Sequence, residues 1–220
     1  MRPPFTTEEF HGVFAVYNSD VWPMQFVLAA AAILAFVLIL TRKRGAGRAV
    51  AAILAFFWAW AGIAYHLAEF TSISGAAWLF GSLFLVQAAL FVLYGTIGGR
   101  ITFELPEGAR AVAGSLLVFY SLFIYPFIGM MSGHAYMASP TFGVPCPVTL
   151  FTVGMFFFPR RPFPGLLLVI PVVWSVVGSS AALYLSVPQD FGLFAAAAAG
   201  IYLFAVNRRK RVEAHSPDVD

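Results

Sequence analysis

The sequence predicts an all-α integral membrane protein: a seven-transmembrane-helix bundle with its N-terminus outside, its C-terminus cytoplasmic and a short N-terminal interfacial helix. Three observations carry that prediction. Of the 220 residues, 60% are hydrophobic and only 10% charged, with 24 Phe. A soluble domain has about a quarter charged residues and too little interior to hide so much apolar surface. Apolar runs of about 20 residues, the length a bilayer demands, recur along the chain without a period-2 polar face. Finally, Lys and Arg collect on alternate connections. Arg42, Lys43, Arg44, Arg48, Arg100, Arg110, Arg160, Arg161, Arg208, Arg209, Lys210 and Arg211 fall on one side and Arg2 alone on the other, which sets the orientation by the positive-inside rule. The same arithmetic excludes a soluble enzyme, a disordered chain and a nucleic-acid-binding module, since no RNA-binding motif accompanies the basic clusters.

The elements follow in order. Residues 1–20 read as an outer amphipathic interfacial helix: Thr6 and Glu9 have capping-box spacing, and Phe10, Phe14 and Tyr17 share one face. Glu8, Glu9 and Asp20 stand where a cleavable signal needs a basic start and an apolar core. A domain of seven helices then occupies 21–206, with spans at about 21–40, 49–70, 76–97, 111–131, 147–158, 165–186 and 190–206. The fifth is short and needs its flanks to cross. Gln87, in the middle of the third span, calls for an interhelical hydrogen bond. Residues 100–108 read as a small hairpin or a simple loop, and 207–220 as a basic and then disordered cytoplasmic tail.

Ionisable groups inside a membrane are costly, so they are candidates for function. His66 and Glu69 lie near the outer end of the second span, three residues apart and so on one helix face. His134 follows the fourth span, Cys146 sits between Pro145 and Pro147, and Asp190 opens the seventh. All fall on the side opposite the basic clusters. Pro147 at the first position of a helix puts Cys146 at the cap, where free backbone N–H groups would favour a thiolate able to bind a soft metal or act as a nucleophile. A small residue packed in a rigid Pro-rich turn is the plainer reading of the same position. His66, Glu69, His134 and Cys146 together form a binding set, with His66, His134 and Cys146 as candidate metal ligands, although their spacing matches no zinc signature. Asp190 reads as an N-cap at the interface. No Lys lies in any span, which excludes a retinal Schiff base, and the absence of a mid-membrane histidine pair argues against haem.

These residues carry a resemblance. Ala64-Tyr-His-Leu67, Phe80-Gly81, Gln87, Gly133-His134-x-Tyr136, Pro140-x-Phe-Gly143-x-Pro-Cys-Pro-x-Thr149 and Phe151-Thr152 resemble an uncharacterised bacterial multi-pass inner-membrane family, a domain of unknown function some of whose members carry a permease label. Tyr17 and Val21-Trp-Pro23 fit it as well, and Met137 departs from it, standing where the family has Pro. The resemblance covers nearly the whole chain and implies a small protein of the bacterial plasma membrane. It supplies no activity.

Three function classes follow. The first is a small permease or binding protein for a metal ion or small solute, using the outward-facing His/Cys/Glu cluster. The second is a membrane-embedded enzyme at the outer leaflet, with Cys146 as nucleophile and His134 or His66 as base. The third is an accessory subunit whose outer loop docks a membrane-protein partner or a second copy of the chain.

Overall fold

Apolar runs without internal polar breaks satisfy their backbone by forming helices, and the computed structural model is all-helical apart from loops and two isolated β-bridges among the residues it describes, 4–41, 43, 45–132 and 136–213. Arg2, Arg42, Arg44 and His134 lie outside the described residues. The helices are α1 (Thr7–Asp20), α2 (Met24–Leu40), α3 (Ala46–Ser72), α4 (Ala77–Ile97), α5 (Gly108–Met131), α6 (Pro145–Met155), α7 (Gly165–Tyr184) and α8 (Pro188–Glu213). Of these, α3, α4, α5, α7 and α8 are long and apolar enough to cross a membrane. A sixth crossing is reached if α1 and α2, bent by 86° at residues 21–23, are counted together.

The chain opens as its capping signals require. The Thr6 hydroxyl accepts from the Glu9 N–H at 3.1 Å, and the Glu9 carboxylate accepts from the Thr6 N–H at 2.7 Å and from its hydroxyl at 3.0 Å. Phe10, Phe14 and Tyr17 are buried along one face of α1, with Phe14 stacked on Tyr65 at 5.7 Å between ring centroids and Tyr65 on Phe70 at 5.8 Å.

Three of the long helices are not α-helical throughout. Wide π turns occupy Ala61–Leu67 in α3, Phe91–Ile97 in α4 and Tyr120–Ile124 in α5. Each shifts the side chains beyond it around the helix axis. Where α3 crosses α4, Gly62 and Gly81 face each other so closely that a Cβ on either would stand 3.1 Å from the other's carbonyl oxygen.

The element that departs most from expectation is α6. Its eleven residues rise about 16 Å, roughly half the hydrocarbon thickness of a bilayer. Every one of them except Cys146 is buried, because α3, α5, α7 and α8 all pack around it. Residues 139–144, which lead into it, are also buried but are not helical. Non-helical backbone inside an apolar medium needs partners within the protein. Asn18 on α1 supplies them. Its amide donates to the carbonyls of Met137 and Ser139, both at 2.8 Å, and its oxygen accepts from the Thr141 hydroxyl at 2.7 Å. Gln25 on α2 donates in turn to the Asn18 carbonyl at 2.7 Å. Gly143, at φ +117°, then threads between Leu28 and the Tyr17 hydroxyl, where a Cβ would stand 2.5 and 2.9 Å from them. That backbone angle and that space both demand glycine.

The connections rich in arginine meet at one end of the bundle. Residues 100–108 form no hairpin of their own: Phe103 pairs with Pro159 in a single antiparallel bridge, and the Arg160 N–H donates to the Thr102 carbonyl at 2.7 Å. Arg110 pairs with Glu104 at 2.6 Å and donates to the Pro159 carbonyl. Helix α8 runs on to Glu213, so 207–213 is ordered helix where a tail was expected. Asn207 holds it there, exchanging two hydrogen bonds of 2.9 Å with the Phe163 backbone, and Arg211 adds a third to the Phe163 carbonyl at 3.0 Å. The Gln87 amide donates to the Leu167 carbonyl at 3.0 Å and ties α4 to α7, as its mid-span position requires.

Asn18→Ala strips donors from two carbonyls and an acceptor from Thr141. It should lower stability by about 3 kcal/mol, since each orphaned buried group costs about 1–3 kcal/mol. Thermal unfolding in detergent reads this, and an unchanged midpoint would refute the role of Asn18. The Thr6 hydrogen bonds hold the Glu9 carboxyl below its ordinary range. A carboxyl lowered in the folded state stabilises α1 above its ordinary value, and that contribution is lost as pH falls through the lowered one. Amide protection factors for residues 7–10 should therefore drop in acid, and Glu9→Ala should remove the drop.

Candidate functional site

At the end of the bundle opposite the arginines lies a cavity of about 360 Å³. The aromatic face of α1 (Phe5 just before it, then Phe10 and Phe14) closes one side. The end of α3 supplies Tyr65, His66 and Phe70, and α4 supplies Phe80. Tyr125 of α5 and Val144, Pro145 and Cys146 at the start of α6 make the inner wall. Helix α7 contributes Trp174, Val177, Gly178 and Ala181, with Ser180 and Tyr184 nearer the surface. Among the described residues that line it there is no Asp, Glu, Lys or Arg.

The walls are set by the local structure described above. The π turn in α3 carries His66 inward, where it is 1% exposed among the rings of Phe80, Phe84 and Trp174, with centroids at 5.7, 4.8 and 5.0 Å. Four residues separate Trp174 from Gly178, which places them on one face of α7. The missing side chain of Gly178 leaves room there: a Cβ would stand 3.3 Å from the Trp174 indole nitrogen and 3.4 Å from the Cys146 sulfur.

Behind the inner wall sits Asp190, 1% exposed. Its carboxylate accepts from the Tyr125 hydroxyl at 2.6 Å and from the Cys146 thiol at 3.6 Å. Tyr120 closes the group by donating to the Gln189 carbonyl at 2.6 Å. Where an N-cap was expected, Asp190 is buried and its side chain is bonded to α5 and α6. It draws α5, α6 and α8 together, and it directs the Tyr125 and Cys146 hydrogens away from the cavity.

The four residues singled out in the sequence fare differently. His66 and Cys146 line the same cavity. Glu69 does not: the π turn ends at Leu67, so the three-residue spacing no longer keeps it on the His66 face, and it stays half-exposed. His134 lies outside the described residues, and the roles of base and metal ligand suggested for it lie there too. Among the described residues no three His, Cys, Asp or Glu side chains come together as a group able to hold a metal ion. Helix α6 begins at Pro145 rather than Pro147, so Cys146 is in the first turn instead of at the cap, and its thiol is a hydrogen-bond donor to a carboxylate. Sequence reasoning singled out neither Trp174 nor Tyr125. The one signal for them was the small residue Gly178 a helical turn beyond Trp174.

Two polar groups in this cavity stand out. Both ring nitrogens of His66 and the indole nitrogen of Trp174 are buried without a hydrogen-bond partner among the described residues. The indoles of Trp58 and Trp60, by contrast, donate to the Thr152 hydroxyl at 2.9 Å and the Tyr17 hydroxyl at 2.8 Å.

Cys146 is the single cysteine of the chain, so its reactivity can be read without interference. Enclosed and donating to Asp190, it should react with a membrane-permeant maleimide at neutral pH more slowly than glutathione does, because the thiolate is the reactive form. Faster labelling would restore the nucleophile reading.

No solved structure and no curated protein matches the chain. One family profile, described as a family of unknown function, matches residues 7–215, and the chain accordingly belongs to that family, DUF6064.

Proposed function

We propose that the protein binds a small, uncharged and mainly apolar solute in the aromatic cavity, as a permease or solute-binding protein of the bacterial plasma membrane. The absence of any charged side chain among the described residues of the cavity wall carries this reading. An ion entering such a site gives up its hydration without a counter-charge in return. An apolar solute gains from burial against Phe10, Phe14, Phe80 and Trp174. A metal ion fits less well, since among the described residues of the wall only His66 and Cys146 are of ligating type, and the thiol already serves Asp190. Catalysis by Cys146 needs a base beside the thiol, and the partner there is a carboxylate that accepts its hydrogen.

In this reading the chain crosses the membrane seven times. The extended segment 139–144 and α6 together make the fifth crossing, and α1 lies along the outer surface at right angles to α2. The arginine-rich end faces the cytoplasm and the cavity opens outward, which agrees with the positive-inside distribution.

Calorimetric titration of ethylbenzene into the protein in nanodiscs, with empty nanodiscs subtracted, should give saturable binding. Benzoate and benzylammonium should not bind. Ala181→Phe, which fills the cavity from α7, should weaken ethylbenzene binding at least about tenfold (about 1.4 kcal/mol) while the helical circular dichroism is preserved. Equal binding of the charged probes would overturn the proposal.

A further inference from the structure

We propose that the solute carries a hydroxyl group, held between His66 and Trp174. This rests on the cavity being a solute site, as argued above, and names the chemistry of the solute's head.

The inference starts from polar atoms left without partners. His66 is 1% exposed and Trp174 8% exposed, and both line the cavity. Neither ring nitrogen of His66 nor the indole nitrogen of Trp174 has a hydrogen-bond partner among the described residues. Buried polar groups in folded proteins are bonded as a rule, and the exceptions mark a missing partner. The two rings stand edge to face with centroids 5.0 Å apart, so one small group in the cavity can reach both. Their ring neighbours are phenyl groups, and the acceptor beside the indole nitrogen is the Cys146 sulfur, a weak one.

The inventory of these atoms decides what the group is. A neutral imidazole has one N–H donor and one lone-pair acceptor, and indole has a donor only. The two imidazole nitrogens point apart, so one small group meets one of them together with the indole N–H, and whether that nitrogen donates or accepts depends on the tautomer. An ether or ketone oxygen serves only the tautomer whose N–H faces it. An ammonium group donates only, and it brings a charge for which the wall has no counterpart. A hydroxyl accepts with its oxygen and donates with its hydrogen. The remaining polar groups of the inner wall do not compete: the Tyr125 hydroxyl and the Cys146 thiol both donate to Asp190. The solute class is thus a lipophilic alcohol or phenol, its apolar body among Phe10, Phe14, Phe70 and Phe80 and its hydroxyl at the α3–α7 contact.

The test uses three probes that share one ring: 2-phenylethanol, its methyl ether and ethylbenzene, each titrated into the wild-type protein in nanodiscs against empty nanodiscs. The alcohol should bind about tenfold more tightly than the ether. In His66→Phe and in Trp174→Phe that preference should disappear, the alcohol and the ether then binding alike. Phenylalanine suits the ring cluster around position 66, and the thermal midpoint of His66→Phe should be no lower than that of wild type, since two orphaned nitrogens are removed. Equal affinity for alcohol and ether in the wild type, or a preference that survives in both variants, overturns the assignment. If the three probes bind saturably without preference, the hydroxyl assignment falls and the apolar cavity reading stands. If none of them saturates, the cavity reading fails and takes the assignment with it.

Discussion

The fold depends on a stretch of backbone that is buried and not helical. Residues 139–144 run through the interior where neither water nor a regular ladder can meet their peptide groups, and such a segment is tolerated only where the protein supplies the partners. Asn18 takes the Ser139 carbonyl and the Thr141 hydroxyl, and the Met137 carbonyl just before them; the Val144 N–H donates to the Thr141 carbonyl, and Gln25 holds Asn18. The other features follow from that contact. Helix α1 must lie across the bundle rather than along it for Asn18 to reach the segment, hence the 86° bend before α2. Gly143 must be glycine for the chain to pass Tyr17 and Leu28. Helix α6 begins deep in the bundle and is enclosed by four neighbours because the chain reaches its start from inside.

The interior treats its polar groups in two ways. Trp58, Trp60, Gln87 and Asn207 each donate at least one hydrogen bond to a named partner and join elements distant in sequence. His66 and Trp174 are as deeply placed and have none among the described residues. Gln25, Gln87 and Gln189 also leave a side-chain oxygen unbonded in the packed interior, but of the side chains with unbonded buried atoms among the described residues His66 and Trp174 are the two that line the cavity. Asp190 belongs with the bonded group as well, because Tyr125 and Cys146 turn their hydrogens to it.

Much of the architecture was legible in the sequence because it is written in composition and period. Apolar run lengths placed the long helices to within a few residues, apart from the end of α8, which runs on to Glu213. The Thr6 and Glu9 spacing marked the start of α1, the mid-span position of Gln87 called for a bond between helices, and the Pro-Cys-Pro stretch belonged to a family without an assigned activity. The site was legible only in part. His66 and Cys146 could be singled out as polar residues in apolar surroundings. Their meeting could not be read, since 79 residues, α4 and α5 among them, lie between the two. Glu69 misled because a spacing of three presumes an unbroken α-helix, and nothing in Ala61–Leu67 announces a π turn. The shortness of α6 was legible, but the buried non-helical segment before it was not. The flanks of α6 are as apolar as a helix, and the departure from helical geometry is decided by a tertiary contact to Asn18, more than 100 residues earlier.

The π turns in α3, α4 and α5 have a geometric meaning of their own. An α-helix advances about 100° per residue, so one residue accommodated in a wide turn offsets all that follows by about that angle. In α3 the part before the turn presents Phe57 and Trp58 to Phe151 and Thr152 of the enclosed helix α6, and the part after it presents Tyr65 and His66 to the cavity. A single rod is in this way keyed at two azimuths, one matched to a solid partner and the other to an open one. The two ends of the bundle can then differ in character without any helix being interrupted, the arginine-bearing end being shaped by one set of faces and the aromatic chamber by another.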